Sequence, residues 1–208
     1  MTIGKTIIYV VDDDTSVCEA LKLLLESHGF KVRTFTRAED FLSYNHSKAA
    51  SCLILDLSLP LMNGLDLQET MKAQGLFIPI IFVSGHGDIP QSVKAMKAGA
   101  TDFLPKPFTQ KDLLNAIDRA LVKNKNQIKR KSEIKKILQR IKSLSPRELE
   151  VFRLVAKGML SKQIAYKRGV SLQTIKVHRG RVMNKMQAKT VTELIRFAQK
   201  AGITPPTV

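Results

Sequence analysis

Residues 6–14 read Thr6-Ile7-Ile8-Tyr9-Val10-Val11-Asp12-Asp13-Asp14, a β-forming run that stops abruptly at three consecutive carboxylates. A run that is apolar at successive positions fits a strand covered on both faces, as in a parallel sheet. Behind the carboxylates, Val17, Ala20, Leu21, Leu24 and Leu25 recur at i, i+3, i+4, i+7 and i+8, one apolar stripe of a helix, and Gly29 marks its stop. Working outward, the same alternation repeats. Strand-like runs are predicted at residues 6–11, 31–35, 52–57, 78–83 and 101–104. Helix-period segments are predicted at 16–27, 37–44, 65–73, 90–98 and 109–122. Five βα units predict a parallel sheet with helices on both faces, and ligands in such sheets sit at the carboxyl ends of the strands.

The chain has 208 residues and a net charge of +16, with ordinary apolar content. That composition argues against disorder, and no apolar run approaches the roughly 20 residues of a membrane helix. No signal peptide and no membrane partner are expected, and the two cysteines, Cys18 and Cys52, are expected as buried thiols in a cytoplasmic protein. The charge is unevenly placed. Residues 1–120 carry 12 Lys/Arg against 14 Asp/Glu, net −2, while residues 121–208 carry 22 against 4, net +18. A near-neutral half joined to a strongly cationic one implies two partners of different chemistry, and the cationic half points to nucleic acid.

Residues 123–143 hold nine Lys/Arg, one Glu and no Gly or Pro, with Ile128, Ile134, Ile137, Leu138 and Ile141 near helical spacing. They read as a basic amphipathic linker helix, continuous with the preceding helix or else a solvated connector. Four further helical segments follow at 146–157, 161–168, 172–186 and 191–201, with Ser145, Ser161, Ser171 and Thr190 as N-cap candidates and Gly158, Gly169 and Gly202 as stops. The pair 161–168 and 172–186, joined at Gly169-Val170-Ser171, makes a helix-turn-helix whose second helix enters the major groove. Ile175, Val182 and Met186 are expected inside. Lys176, Val177, Arg179, Gly180, Arg181 and Asn184 cover the other surfaces.

The strand ends carry the chemistry: Asp12, Asp13 and Asp14 after the first, Asp56 on the third, Ser84 on the fourth and Lys106 after the fifth. In a parallel sheet these converge on one edge. Neighbouring carboxylates repel, and stay ionised together only around a cation; oxygen ligands with room for water suit Mg²⁺. An ionised aspartate facing Mg²⁺, a lysine and a hydroxyl can attack a phosphoryl group, with Lys106 and Ser84 neutralising and binding the transferred oxygens. The pocket lacks a Gly-x-x-x-x-Gly-Lys phosphate loop, and His28, His46, His86 and His178 lack metal spacing.

Val11-Asp12-Asp13-Asp14, Asp56-x-x-x-Pro60 with Asn63-Gly64, Ser84-Gly85 and Lys106-Pro107-Phe108 together resemble the receiver domain of bacterial two-component response regulators. The resemblance implies a flavodoxin-like (βα)₅ fold and a sensor histidine kinase as donor to Asp56. It further implies Mg²⁺ held directly by Asp13, Asp56 and the backbone carbonyl of Ser58, and by Asp12 through water. Ser84 and Phe103 match the switch pair, where Thr and Tyr are commoner, and Lys106-Pro107 matches a cis peptide. His86 and Ser58 stand where they could tune phosphate lifetime, or play no kinetic part.

Leu144-Ser145-Pro146-Arg147-Glu148, Gly158, Lys162-Gln163-Ile164-Ala165 and Thr174-Ile175-Lys176-Val177-His178 resemble the LuxR-type DNA-binding domain. The order of parts resembles the FixJ/NarL class, with Ser84-Gly85-His86-Gly87-Asp88 leaning to the FixJ side. That resemblance implies base reading by Lys176 and Val177, and phosphate or flanking contacts by Lys162, Thr174, Arg179 and Arg181. Gly180 stands where a basic contact residue is familiar.

The expected architecture is therefore α/β plus all-α: a receiver over 1–123, a basic helical linker over 124–142 and a four-helix DNA-binding domain over 143–208. The expected function is a transcription regulator, an activator, that dimerises on phosphorylation and binds an inverted repeat in double-stranded promoter DNA. Two alternatives remain beside it. An enzyme passing phosphate through Asp56 to outside substrates would want a cap domain or a general acid near Asp56, and the sequence offers neither. A phosphate-independent receiver would not need Asp13, Asp56 and Lys106 intact.

Overall fold

The structure is a computed structural model describing residues 6–47, 49–85 and 89–203. The expected sites at His86 and Asp88 and the tail at 204–208 lie outside the described residues. The chain divides into two compact units, residues 1–128 and 129–208.

The first unit alternates β1 (Ile7–Val11), α1 (Thr15–Ser27), β2 (Lys31–Phe35), α2 (Ala38–Ser43), β3 (Ser51–Asp56), α3 (Gly64–Ala73), β4 (Ile80–Ser84), α4 (Ile89–Lys97) and β5 (Asp102–Pro105), and opens α5 (Gln110–Lys142). The five strands pair in parallel in the order β2-β1-β3-β4-β5. That is the flavodoxin-like order, whose topological switch point lies between β1 and β3. Alternation along the strands splits the core in two. Ile8, Val10, Ile54 and Val83 pack with Leu21, Leu25, Leu113 and Ile117 of α1 and α5, while Tyr9, Leu55 and Phe82 pack with Phe41, Leu67 and Met71 of α2 and α3. Each such fully buried side chain contributes roughly 1.5–3 kcal/mol.

β4 begins at Ile80, later than the run from 78 suggests. Pro79 has no N–H to give the ladder, though its carbonyl still accepts from the Leu53 amide at 2.9 Å. α5 runs without a break through residues 123–142, which hold no Gly or Pro to interrupt it. The linker is thus helix continuous with the last helix of the first unit. Cys18 and Cys52 are both buried free thiols. Among the described residues no helix is long and apolar enough to cross a membrane.

The second unit holds the end of α5 with α6 (Pro146–Ala156), α7 (Ser161–Arg168), α8 (Leu172–Met186) and α9 (Val191–Lys200). Its core joins Ile137 to Phe152, Val155, Ile164, Ile175, Val182, Met186, Leu194 and Phe197. Ser145, Ser171 and Thr190 cap their helices as expected, and Pro146 takes the first helical position. Ser161 does not. Leu160 is the N-cap of α7, because Gln163 Oε1 accepts the Leu160 amide at 2.8 Å and leaves the serine as the first helical residue. Gly169 ends α7 at φ 63°, in the left-handed region that glycine enters without steric cost.

Candidate functional site

Strand ends at the switch point bring four of the expected residues to one edge. Asp12, just after β1, is 2% exposed; Asp56, the last residue of β3, is 6% exposed; Ser84, ending β4, is 1% exposed. Lys106 follows β5 and reaches back across the edge. Its Nζ donates to Asp12 Oδ2 at 2.9 Å and to Asp56 Oδ1 at 2.7 Å. The remaining carboxylate oxygens are held by the backbone: Asp12 Oδ1 accepts the Asp14 amide at 3.0 Å, and Asp56 Oδ2 the Ser58 amide at 2.6 Å. Lys106 is itself fixed by its amide, which donates to the Ser84 carbonyl at 2.7 Å, and the following Lys106–Pro107 bond is cis.

Burial pushes the Asp12 carboxyl above the usual carboxylate range, and the hydrogen bonds from Lys106 and the Asp14 amide only partly oppose it. For Lys106 burial works against its charge, but the Asp56 and Asp12 carboxylates outweigh it and hold the ammonium above its ordinary value. The lysine is thus a resident cation between two buried anions, where a third charge of either sign must be matched. Asp13 is exposed, and Asp14 caps α1 by accepting from the Ser16 amide. Among the described residues no three His, Cys, Asp or Glu side chains stand together as a metal cage. The Asp12–Asp56 pair still suits Mg²⁺, which usually takes one or two carboxylates and fills its shell with water.

Two features around Asp56 gave little signal in the sequence. Gly64 packs so closely under the strand end that a Cβ there would lie 2.6 Å from the Asp56 carbonyl oxygen and 2.9 Å from Phe82 Cε1. Asn63-Gly64 was legible as a motif, but the close approach was not. Leu61 has φ 70° and is 88% exposed, an uncommon pairing for a branched apolar residue in the loop after Asp56. Phe103 is half-buried on β5 with its ring 6.4 Å from that of Phe82.

On α8, Ile175, Val182 and Met186 are buried, leaving Lys176, Val177, Gly180, Arg181 and Asn184 exposed along adjoining rows. Lys162 on α7 is exposed too. Two expected contact residues have partners inside the domain. The Thr174 and Ser171 hydroxyls lie 2.8 Å apart at the start of α8, and half-buried Arg179 donates from Nη1 to Ser161 Oγ at 3.0 Å, tying α8 to α7. Below them, Glu148 is 3% exposed and accepts from Lys185 Nζ at 2.6 Å and from the Ser145 amide at 2.8 Å. Lys185 foremost, with the Ser145 amide, holds the Glu148 carboxyl down at about 2. The spacing Ser145-x-x-Glu148 announces this capping box; Lys185 carries no sequence signal for its part.

This fold and these two faces define a class. Residues 8–118 match the response regulator receiver domain, and residues 142–198 match the bacterial regulatory proteins of the luxR family. The chain belongs to the response regulators, with a receiver domain followed by a LuxR-type DNA-binding domain. Its relatives include response regulator protein TmoT of Ectopseudomonas mendocina, 45% identical over 94% of this chain and 89% of that protein. Transcriptional regulatory protein FixJ of Bradyrhizobium diazoefficiens is 40% identical over 94% of this chain and 96% of its own length. Among solved structures, that of response regulator StyR is 42% identical, with a TM-score of 0.81 over 94% of this chain and 99% of that one.

Proposed function

We infer that Asp56 is the phosphoacceptor and that its phosphorylation by a sensor histidine kinase controls dimerisation and promoter binding. The observation that carries this reading is the bridge from Lys106 Nζ to both Asp12 and Asp56, an ammonium poised at an anionic strand edge. An oxygen of Asp56 forms the new O–P bond as the N–P bond of the donor phosphohistidine breaks. Mg²⁺, when bound, offsets the negative charge of the incoming phosphoryl oxygens. Asp13, Asp56 and the Ser58 carbonyl are assigned to hold it directly, and Asp12 through water. Lys106 stays beside the transferred oxygens and exchanges one carboxylate partner for them. Ser84 donates its hydroxyl to the phosphoryl group, and Phe103 follows it inward.

We assign residues 1–123 to the receiver, 124–142 to the linker and 143–208 to the DNA-binding domain, which acts in the cytoplasm as an activator on an inverted repeat. Lys176 and Val177 read bases; Lys162, Thr174, Arg179 and Arg181 contact phosphates or flanking positions; Gly180 and Asn184 line the same groove. The receiver catalyses only its own Mg²⁺-dependent phosphorylation and dephosphorylation.

Incubation with a labelled phosphohistidine kinase and Mg²⁺ tests the assignment. Label should enter the wild type and be absent from Asp56→Asn; label retained in that variant removes Asp56 from the role.

A further inference from the structure

The amino-terminal pole of the five-stranded sheet holds a cavity that the phosphoryl chemistry does not use. It has a volume of about 170 Å³ and lies among α3, the start of β4, the turn after α4 and the first unit's part of α5. β4 runs from Ile80 at this cavity to Ser84 at the opposite edge, about 13 Å away, so the two places are separate. Met71, Leu76, Ile78 and Ile80 give the cavity apolar walls. Lys72 of α3 and Lys123 of α5 line its rim, both exposed, and among the described residues no carboxylate lines it.

Two amide side chains of the lining have an acceptor without a donor. Gln68 is 6% exposed, and its Nε2 donates to the Ala95 carbonyl at 3.4 Å. That bond fixes the sense of the amide and leaves Gln68 Oε1 buried with no hydrogen-bond partner. Oε1 of half-buried Gln127 is orphaned in the same way. Burial alone does not explain this. Asn124, one turn earlier on α5 and 3% exposed, accepts the Ser51 amide at 3.0 Å and donates to the Phe77 carbonyl at 3.4 Å. A buried acceptor without a donor keeps its full desolvation penalty, and native structures rarely leave one. The last torsion of a glutamine side chain is broad, so a modest rotation turns Gln68 Oε1 towards the cavity that the residue lines.

We propose that this cavity binds a small organic carboxylate with an apolar body and one hydroxyl or amide donor. The donor meets Gln68 Oε1, the more deeply buried of the two acceptors. The apolar body fills the space between Met71, Leu76, Ile78 and Ile80, and the carboxylate meets the ammonium groups of Lys72 and Lys123 at the rim. Size sets the class of ligand: an apolar cavity of roughly 150 Å³ holds benzene, so the room here suits one six-membered ring and a few further atoms. A water molecule could satisfy the glutamine, but it would leave the apolar walls and the two lysines unmatched. The inference stands apart from the phosphoacceptor reading and does not depend on it.

The test is an NMR titration of the full chain with trans-4-hydroxycyclohexanecarboxylate, and with cyclohexanecarboxylate and cyclohexanol, which each lack one of its polar groups. The hydroxy acid should bind the wild type with a dissociation constant of about 1 mM or tighter, ordinary for about ten heavy atoms, and should move the Gln68 side-chain amide signals. Each control should bind at least about fivefold more weakly. Gln68→Leu nearly keeps the side-chain volume, and the Ala95 carbonyl still accepts the Ala100 amide at 3.1 Å. That variant should erase the advantage of the hydroxy acid over cyclohexanecarboxylate. The surface variant K72Q/K123Q should erase its advantage over cyclohexanol, and it carries the test if Gln68→Leu does not fold. Unchanged affinity of the hydroxy acid in the folded variants overturns the inference, as do shifts confined to residues away from the cavity. No binding to the wild type at about 10 mM also overturns it and leaves the cavity to water only.

Discussion

A Cβ on Gly64 would sit 2.6 Å from the carbonyl oxygen of Asp56, closer than non-bonded carbon and oxygen can approach. The Gly64 amide meanwhile donates to the Leu57 carbonyl at 2.9 Å, so the start of α3 is pinned against the end of β3. The position of the Asp56 side chain therefore depends on a residue that has no side chain of its own. Gly64→Ala should destabilise the first unit by about 1–3 kcal/mol and slow phosphoryl acceptance in the fraction that folds. Urea unfolding of the full chain, followed by a phosphorylation time course, reads both; wild-type stability in the variant would mean that β3 and α3 can part freely.

Asp12 supplies a test of the charge balance at the strand edge. Its pKa is raised by burial, so the ionised form costs the folded state. The sign follows from linkage: an acid with a raised folded pKa loses stability as pH rises through that value, and the penalty persists above it. Asp12→Asn should thus be the more stable protein at neutral pH, the difference disappearing in acid below the ordinary aspartate range. Adding Mg²⁺ should narrow the neutral-pH gap by stabilising the wild type more than the variant, which keeps the direct ligands but loses one carboxylate charge. Thermal unfolding at several pH values, with and without Mg²⁺, measures this, and a variant less stable than wild type at neutral pH would contradict it.

Glu148 behaves in the opposite sense. Its pKa is lowered from 4.5 to about 2, so its stabilisation is fully present above 4.5 and is lost as pH falls towards 2. Glu148→Gln should cost the second unit about 1–2 kcal/mol at neutral pH, allowing for solvent screening of the part-exposed Lys185. The gap between variant and wild type should close across that acid window, followed by urea unfolding of the second unit. A gap that stays constant with pH would assign the loss to packing.

Gly180 lies in the interior of α8 with open space where its Cβ would be. Nothing in the protein requires glycine there, and Gly180→Ala should stabilise α8 by about 1 kcal/mol. A stabilised variant with weakened DNA binding, measured by fluorescence anisotropy, would show that the backbone at this point touches the duplex.

The fold was largely legible because its signals are local and redundant. Apolar runs of strand length alternate with helical stripes, and each capping residue at Ser145, Ser171 and Thr190 stands where its helix begins. The convergence of Asp12, Asp56 and Lys106, separated by as many as 94 positions, followed from one topological rule about strand ends. What escaped depends on contacts between distant residues or on backbone geometry that side-chain type does not encode. Gln163 makes Leu160 rather than Ser161 the N-cap of α7 by claiming its amide, and Leu61 adopts a left-handed backbone that leucine does not advertise. Arg179 reads as a phosphate ligand in sequence, but its reach to Ser161 also makes it a brace between α7 and α8.

The central claim is that charge chemistry at Asp56 governs what the second unit does. Beryllofluoride with Mg²⁺ mimics the phosphoryl group, and its effect is best read on one sample by sedimentation and by binding to a target duplex at fixed salt. The wild type should shift from monomer to dimer and bind about tenfold more tightly, whereas Asp56→Asn should do neither. A wild type unmoved in mass and affinity, or an Asp56→Asn variant that responds equally, would contradict the account.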